Sequence, residues 1–450
     1  MTQTVELPIW LFVLILLFAA VTALSHFLLP SVRWFFRRRL ERAVKKLNER
    51  LERPIEPFKL ARRYDMIQRL SYDPEVTRAI VEYAAENDMP ENVAFQKAQS
   101  YAREIVPSFS AFAYFGFGIR VARWLAKALY TVRTGLNNDA RLADLPKDAT
   151  VIFIMNHRSN MDYLLVTYLA ARASALSYAV GEWARVWPLS RLIKSLGAYF
   201  IRRKSRGALY RKVLARYVQM ARDGGVTQAV FPEGGLSLNG KLMPPKMGLL
   251  SYILEDYNPE AREVIFVPVA INYDRVLEDR VLIAADQRGD RRFGGKVSVV
   301  FKFIARKVWL RMRGRFLRFG TAAVVFGEPV SLRGYAEPPT AEALAQDLME
   351  RIQNVMPVLF VPLLSRVMLR SDAPLDDDAL QRAVIFEIKT CKGADPLIAD
   401  DTVESAVCLA RDHMEQRKLI TKSNQGWAKT PDQVAVLQYY SNSIAHYFDA

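Results

Sequence analysis

Residues 151–163 read VIFIMNHRSNMDY. An apolar run ends at Met155, a polar turn carries His157, and Asp162 falls where the helical pattern LLVTYLAARAS (164–174) begins. A short apolar run bounded by polar residues suits a buried strand, so the stretch reads as strand, turn and helix. His157 is one of only four histidines. A neutral imidazole is the usual general base near neutral pH, and a carboxylate on its other ring nitrogen fixes the tautomer. Asp162, in the first turn or two of the helix, can reach back to His157. Ser159 or Asn160 could equally serve as the helix N-cap. Two readings therefore stand at this point: a catalytic pair, or a histidine and an aspartate at an ordinary junction.

The same texture extends outward. Apolar runs recur at ALSYAV (175–180), LGAYFIR (196–202), TQAVF (227–231), VIFVPVAI (264–271) and TAAVVFGEPV (321–330), with a helical pattern through LYRKVLARYVQMARD (209–223). Strand-like runs alternating with helices predict an α/β fold around a largely buried sheet flanked by helices. Before this core, residues 71–106 are helical in pattern, with Asp73-Pro74-Glu75 and Met89-Pro90-Glu91 as helix starts. The stretch FSAFAYFGFGIRVARWLAKALYTV (109–132) is aromatic and then basic, which suits either a membrane surface or a cover over the core. After the core, residues 336–450 read as helical with polar turns such as KSNQGWAKTPDQ (422–433).

The 450 residues carry a formal net charge of +16, which points to an anionic partner. Cys391 and Cys408 form neither a disulfide framework nor a close metal-binding pair. They read as reduced thiols facing the cytosol. No charged residue lies between Glu6 and Arg33, and nine Lys/Arg against three Glu follow from Arg33 to Arg53. About 20 apolar residues cross a bilayer as a helix. The basic flank then places the remainder of the chain in the cytoplasm. The expectation is a single-pass N-terminal anchor in the inner membrane, with the catalytic domain cytoplasmic. A cleaved signal peptide would need a basic start and a shorter apolar core. The basic, aromatic segment FKFIARKVWLRMRGRFLRF (301–319) suits an anionic lipid surface. A membrane partner is expected, and a nucleic-acid partner is not. The expected layout is an anchor at 1–31, a basic and helical region at 32–145, a catalytic domain at 146–335 and a helical region at 336–450.

Two further strand ends carry chemistry. Glu233-Gly234-Gly235 follows TQAVF, and paired glycines let backbone N–H groups approach an anion. The stretch lacks the Gly-Lys-Ser/Thr ending of a nucleotide P-loop. It also lacks the final glycine of a nucleophile elbow. Arg202, Arg203, Lys204 and Arg206 follow LGAYFI, and clustered cations there can hold a phosphate.

Taken in order, HRSNMD, GAYFIRR, FPEGG and the proline of VIFVPVAINYD resemble the four motifs of the glycerolipid acyltransferase superfamily. The forms HRSxMDY, FIRR and EGG are closer to its glycerol-3-phosphate acyltransferase branch, as is the ending QYYSNSIAHYF (438–448). The resemblance implies a mixed sheet flanked by helices. It also implies acyl transfer from acyl-CoA or acyl carrier protein to the sn-1 hydroxyl of glycerol 3-phosphate, the first step of phospholipid biosynthesis. His157 and Asp162 would be catalytic, without an acyl-enzyme. Arg158, Arg202, Arg203, Glu233, Gly234, Gly235 and Lys246 would bind substrate. No metal and no cofactor beyond the acyl donor is expected. One departure stands out: Leu236 and Leu238 occupy places where that branch usually has arginines. Lys241 or Lys246 would then supply the charge, or the acceptor is lysophosphatidate or another lysolipid.

Overall fold

The computed structural model describes residues 8–135, 144–171, 174–181, 189–202, 207–289, 318–391 and 402–448; within the first helix the side chains of residues 20, 23–37 and 40 are outside the description. The chain divides into two compact units, Met1–Pro54 and Ile55–Ala450.

The first unit is one helix, α1 (Ile9–Asn48). Its apolar side chains from Ile9 to Phe18 are mostly exposed. Among the described residues no helix is long and apolar enough to cross a membrane. The helix expected over the apolar run is present, but between Thr22 and Arg38 its side chains are outside the description, and the expected span is not shown. The basic segment at 301–319 lies outside the described residues up to 317.

The second unit opens with short helices α2 (Pro57–Leu60) and α3 (Arg63–Ser71), then α4 (Pro74–Glu86) and α5 (Glu91–Ile105). Both expected starts are met. Asp73 caps α4 by accepting the Glu75 N–H, with Pro74 in the first turn, where its missing N–H costs nothing. A π-helix, Phe112–Gly118, runs into α6 (Ile119–Leu129). The inner face of α6, Ala122, Leu125, Ala126 and Leu129, is buried.

The sheet has eight strands: β1 (Thr131–Thr134), β2 (Thr150–Met155), β3 (Ser177–Gly181), β4 (Tyr199–Ile201), β5 (Gln228–Val230), β6 (Val264–Tyr273), β7 (Thr321–Phe326) and β8 (Val330–Ser331). Their order is β1-β7-β6-β2-β5-β3-β4, with β8 also on β6. All neighbours are parallel except β7 and β8, which run antiparallel to β6. The sheet is therefore mixed and flanked by helices, as expected. Central β2 is buried along its whole length. Parallel strands covered on both faces read as such unbroken apolar runs.

Pro268 stands inside β6, where a missing N–H should break a ladder. It sits in the gap between the β8 pairing at Ile265 and Phe266 and the β7 pairing that begins at Val269. Its carbonyl still accepts the Gly327 N–H at 2.8 Å.

Three strands went unread in the sequence. β1 lies in a stretch whose aromatic and basic residues masked its four-residue run; it becomes a strand by pairing with β7. The segment read as the polar turn KSNQGWAKTPDQ contributes to the hairpin of β9 (Ile420–Ser423) and β10 (Gly426–Lys429), pinned by buried Trp427.

Candidate active site

The site forms where β2 ends at the middle of the sheet. Asn156 continues the β2–β6 ladder with its side chain: its amide donates to the Ile271 carbonyl at 2.9 Å and accepts the Ile271 N–H at 2.7 Å. The chain then turns, and the helix Asp162–Leu169 begins with the aspartate itself. Asp162 is fully buried. Its Oδ2 lies 2.9 Å from His157 Nδ1 and accepts the backbone N–H of Arg158 at 2.7 Å and of Ser159 at 3.0 Å. Its Oδ1 accepts the Tyr273 hydroxyl at 2.6 Å. The carboxylate thus holds its own turn and orients the imidazole at once, whereas neither Ser159 nor Asn160 is the helix N-cap, a place taken by Met161 with no side-chain cap.

With Nδ1 turned to the carboxylate, its proton is fixed there and Nε2 is left as the basic nitrogen. The imidazole stacks on Phe231 at 4.1 Å between centroids, and Tyr163 meets it edge-on at 5.5 Å. The turn has a second brace in Glu278, which accepts Ser159 Oγ at 2.8 Å and Asn160 Nδ2 at 3.0 Å.

The Glu233-Gly234-Gly235 turn follows β5, adjacent to β2. Glu233 Oε1 accepts the His157 backbone N–H at 2.7 Å, and Oε2 accepts the Met243 N–H at 2.9 Å. Burial pushes its carboxyl up to about 7, opposed by these two amides and the Arg158 charge. Gly234 adopts a φ of 64°, and the Lys246 side chain crosses it, with Cδ 2.8 Å from where a Cβ would stand. Glycine is required there on both counts.

Two family descriptions match the chain: Acyltransferase over residues 139–272 and Glycerol-3-phosphate acyltransferase C-terminal region over residues 309–449. The glycerol-3-phosphate acyltransferase of Alteromonas mediterranea is 27% identical over 83% of this chain and 48% of its own length. That of Pseudomonas syringae pv. tomato is 27% identical over 86% of this chain and 49% of its own length. The chain spans about half the length of the curated relatives it matches. A crystal structure of the 1-acyl-sn-glycerophosphate (LPA) acyltransferase PlsC from Thermotoga maritima aligns over 53% of this chain and 75% of that one at 21% identity, with a TM-score of 0.34. That likeness is too slight to argue from. Both matched regions thus resemble the glycerolipid acyltransferase superfamily.

The other expected ligands are placed differently. Arg158 is not at the surface: it is 1% exposed, donates through Nη1 to the Gly240 carbonyl, and lies over the Tyr439 ring at 5.7 Å. Among the described residues its Nε and Nη2 have no hydrogen-bond partner. Through Nη1 it is an internal strut to the Gly240 loop. Arg202, at the end of edge strand β4, makes a bidentate pair with Glu104 of α5, with Nε 2.9 Å and Nη2 2.6 Å from its oxygens. The structure brings it to α5, not to His157. Arg203 lies outside the described residues. Leu238 is buried in the core and Leu236 packs partly against it. Both are packing positions. Among the described residues no cluster of His, Cys, Asp and Glu could hold a metal ion.

Sequence reasoning missed Tyr273, Glu278, Asn156 and Phe231. Tyr273 lies in VIFVPVAINYD, where only the proline had drawn notice. It also missed how the C-terminal region reaches the site. In the helix Val434–Ser441, Tyr440 donates to Asp279 Oδ2 at 2.6 Å and accepts the Val276 N–H at 3.0 Å. Asn442 donates to the Asn239 carbonyl at 2.8 Å. One helix end thus braces both loops that carry the motif partners.

Proposed function

We propose that the chain transfers a fatty acyl group from the thioester of acyl-CoA or acyl carrier protein to the sn-1 hydroxyl of glycerol 3-phosphate. The observation that carries this is the buried carboxylate of Asp162, held by three other donors and paired with His157 Nδ1 at 2.9 Å. The family names of the relatives supply the substrate class.

In the proposed reaction Nε2 of His157 takes the proton of the acceptor hydroxyl as its oxygen attacks the thioester carbonyl. The Asp162 carboxylate stabilises the imidazolium that forms. Collapse of the tetrahedral intermediate breaks the C–S bond, and the imidazolium returns the proton to the leaving thiolate. Phe231 and Tyr163 wall the ring from water, so the proton stays within this exchange. Lys246, lying across the Gly234 turn, is the cation best placed to meet the acceptor's phosphate. Arg202 would have to leave Glu104 to do so. The exposed apolar start of α1 supports a membrane anchor, and the Arg-rich flank supports a cytoplasmic site.

Acylation of lysophosphatidate or another lysolipid is the second reading, favoured by Leu236 and Leu238 in place of arginines. The test is an acyl-transfer assay on the purified full chain. Glycerol 3-phosphate and lysophosphatidate are offered separately, each with acyl-CoA and with acyl carrier protein. His157→Ala should lower turnover by about 10²- to 10⁴-fold, the usual share of a positioned base. Equal rates for wild type and variant would sink the enzyme reading, and activity on lysophosphatidate alone would establish the second.

A further inference from the structure

In the turn from His157 to Asp162 every residue is buried except Asn160, which is half-buried. Its side chain caps no helix. It faces Glu278 instead. The Asn160 backbone N–H donates to Glu278 Oε1 at 3.3 Å, and Asn160 Nδ2 donates to the same oxygen at 3.0 Å. The other oxygen, Oε2, accepts Ser159 Oγ at 2.8 Å, and that hydroxyl in turn accepts the Met161 N–H at 3.2 Å. Both oxygens of Glu278 are therefore acceptors here. An amide beside them must turn its NH2 group inward and its carbonyl away. Among the described residues nothing donates to Asn160 Oδ1.

This oxygen is a fixed acceptor three residues from the proposed base. The carboxylates around it are already engaged: Asp162 and Glu233, like Glu278, accept on both oxygens. Oδ1 therefore suits a ligand that brings a hydroxyl proton. His157 can take the proton of only one hydroxyl. On a vicinal diol the neighbouring hydroxyl keeps its proton and needs an acceptor close to the reacting oxygen. We infer that Asn160 Oδ1 accepts the second, non-reacting hydroxyl of a diol acceptor, and that Glu278 is the positioning residue that aims it. The inference rests on the acyl-transfer reading and narrows its choice of substrate.

Glycerol 3-phosphate carries two hydroxyls, so one can react while the other binds. An acceptor already acylated at sn-1 has a single hydroxyl, which is the reacting one, and it brings nothing to Asn160. A site built to hydrogen-bond a substrate hydroxyl discriminates against the analogue that lacks it, because its own polar group is left unpaired. One neutral hydrogen bond is equivalent to roughly a 2- to 12-fold preference. Asn160 thus favours the diol acceptor, against the pull of Leu236 and Leu238 toward a lipid-like one.

The test compares glycerol 3-phosphate with 3-hydroxypropyl phosphate, the same acceptor without its middle hydroxyl, on the purified full chain with one acyl-CoA. The readout is the ratio of the two kcat/KM values. Partial unfolding does not move this ratio, because both acceptors meet the same folded enzyme. Wild type should favour glycerol 3-phosphate. Asn160→Ala should lower the ratio roughly 2- to 12-fold, with 3-hydroxypropyl phosphate nearly unaffected. Glu278→Ala should slow both acceptors, since it also loosens Ser159, and should lower the ratio by a similar factor. The double variant should lower it no further, as expected of two residues acting through one contact. A wild-type ratio in Asn160→Ala, whether or not both rates fall, would overturn the inference and leave acyl transfer standing. So would a wild-type ratio in Glu278→Ala, or transfer to lysophosphatidate alone. A wild type inactive on every acceptor would instead fell the acyl-transfer reading, and the inference with it.

Discussion

Tyr273→Phe isolates one interaction of the proposed catalytic pair. The phenol donates to Asp162 Oδ1 at 2.6 Å, and neither residue is exposed. Burial first, and then the Asp162 charge, keeps the phenol well above its usual pKa, so it remains a donor throughout any practical assay. The substitution keeps the ring and removes only the hydroxyl, leaving one oxygen of a buried carboxylate without its partner. A hydrogen bond to a charged group contributes about 1.5–3 kcal/mol, so the unfolding free energy should fall by that amount, read as a lower urea midpoint at unchanged m. Oδ2 keeps its bonds to His157 Nδ1 and to the backbone N–H groups of Arg158 and Ser159. Asp162 is then tethered at one oxygen and free to swivel about it. Converting half of the lost bond into misalignment lowers kcat roughly 4- to 12-fold, with KM for the acceptor unchanged. In an Asp162→Asn background the same change should cost little more in kcat, because the two residues act as one unit. Tyr273→Phe with wild-type kcat and midpoint, or costs that simply add in the double variant, would refute the reasoning.

Glu233 offers a pH test. Its buried carboxyl sits at about 7, above the usual value near 4.3. The folded state therefore holds a proton that the unfolded chain has released. Its contribution is full below about 4.3 and is lost as pH rises through about 7, on the order of 3 kcal/mol in total. Urea midpoints at pH 5 and pH 8 should show this fall in wild type and lack it in Glu233→Gln. Leu238→Arg should unfold the protein or lower its melting temperature sharply, since it buries a charge with no partner. Leu236→Arg, at a half-buried position, should fold and lower KM for glycerol 3-phosphate in the transfer assay. Gly240 adopts a φ of 87°, and an added Cβ would meet the Tyr439 carbonyl at 1.9 Å. Gly240→Ala should accordingly cut soluble yield and melting temperature, because the strut from Arg158 to the C-terminal helix is displaced.

Much of the architecture was legible along the chain. The unbroken apolar runs of β2 and β6 announce strands buried on both faces, and the capping signal at Asp73-Pro74-Glu75 marks a helix start to the residue. His157 and Asp162 were legible because five positions across a strand-to-helix turn bring one side chain back to the other. β1 was not legible: four residues gain strand geometry from a partner nearly 200 positions away. Arg202 misled because a cation cluster looks alike whether it faces a phosphate or a carboxylate such as Glu104. For Arg158, no local pattern shows that its guanidinium ends against the Tyr439 ring.

Local spacing was enough to pair the candidate base with its carboxylate and to suggest the α/β frame, because those signals lie within short runs of chain. What holds that carboxylate depended on the folded sheet. Tyr273 reaches Asp162 from 111 positions away, Glu278 braces Ser159 from 119, and Glu233 fixes the His157 amide from 76. Those separations carry no periodicity that a single sequence could display. They are set by the parallel pairing of β2 with β5 and β6, which stacks three strand ends beside one another.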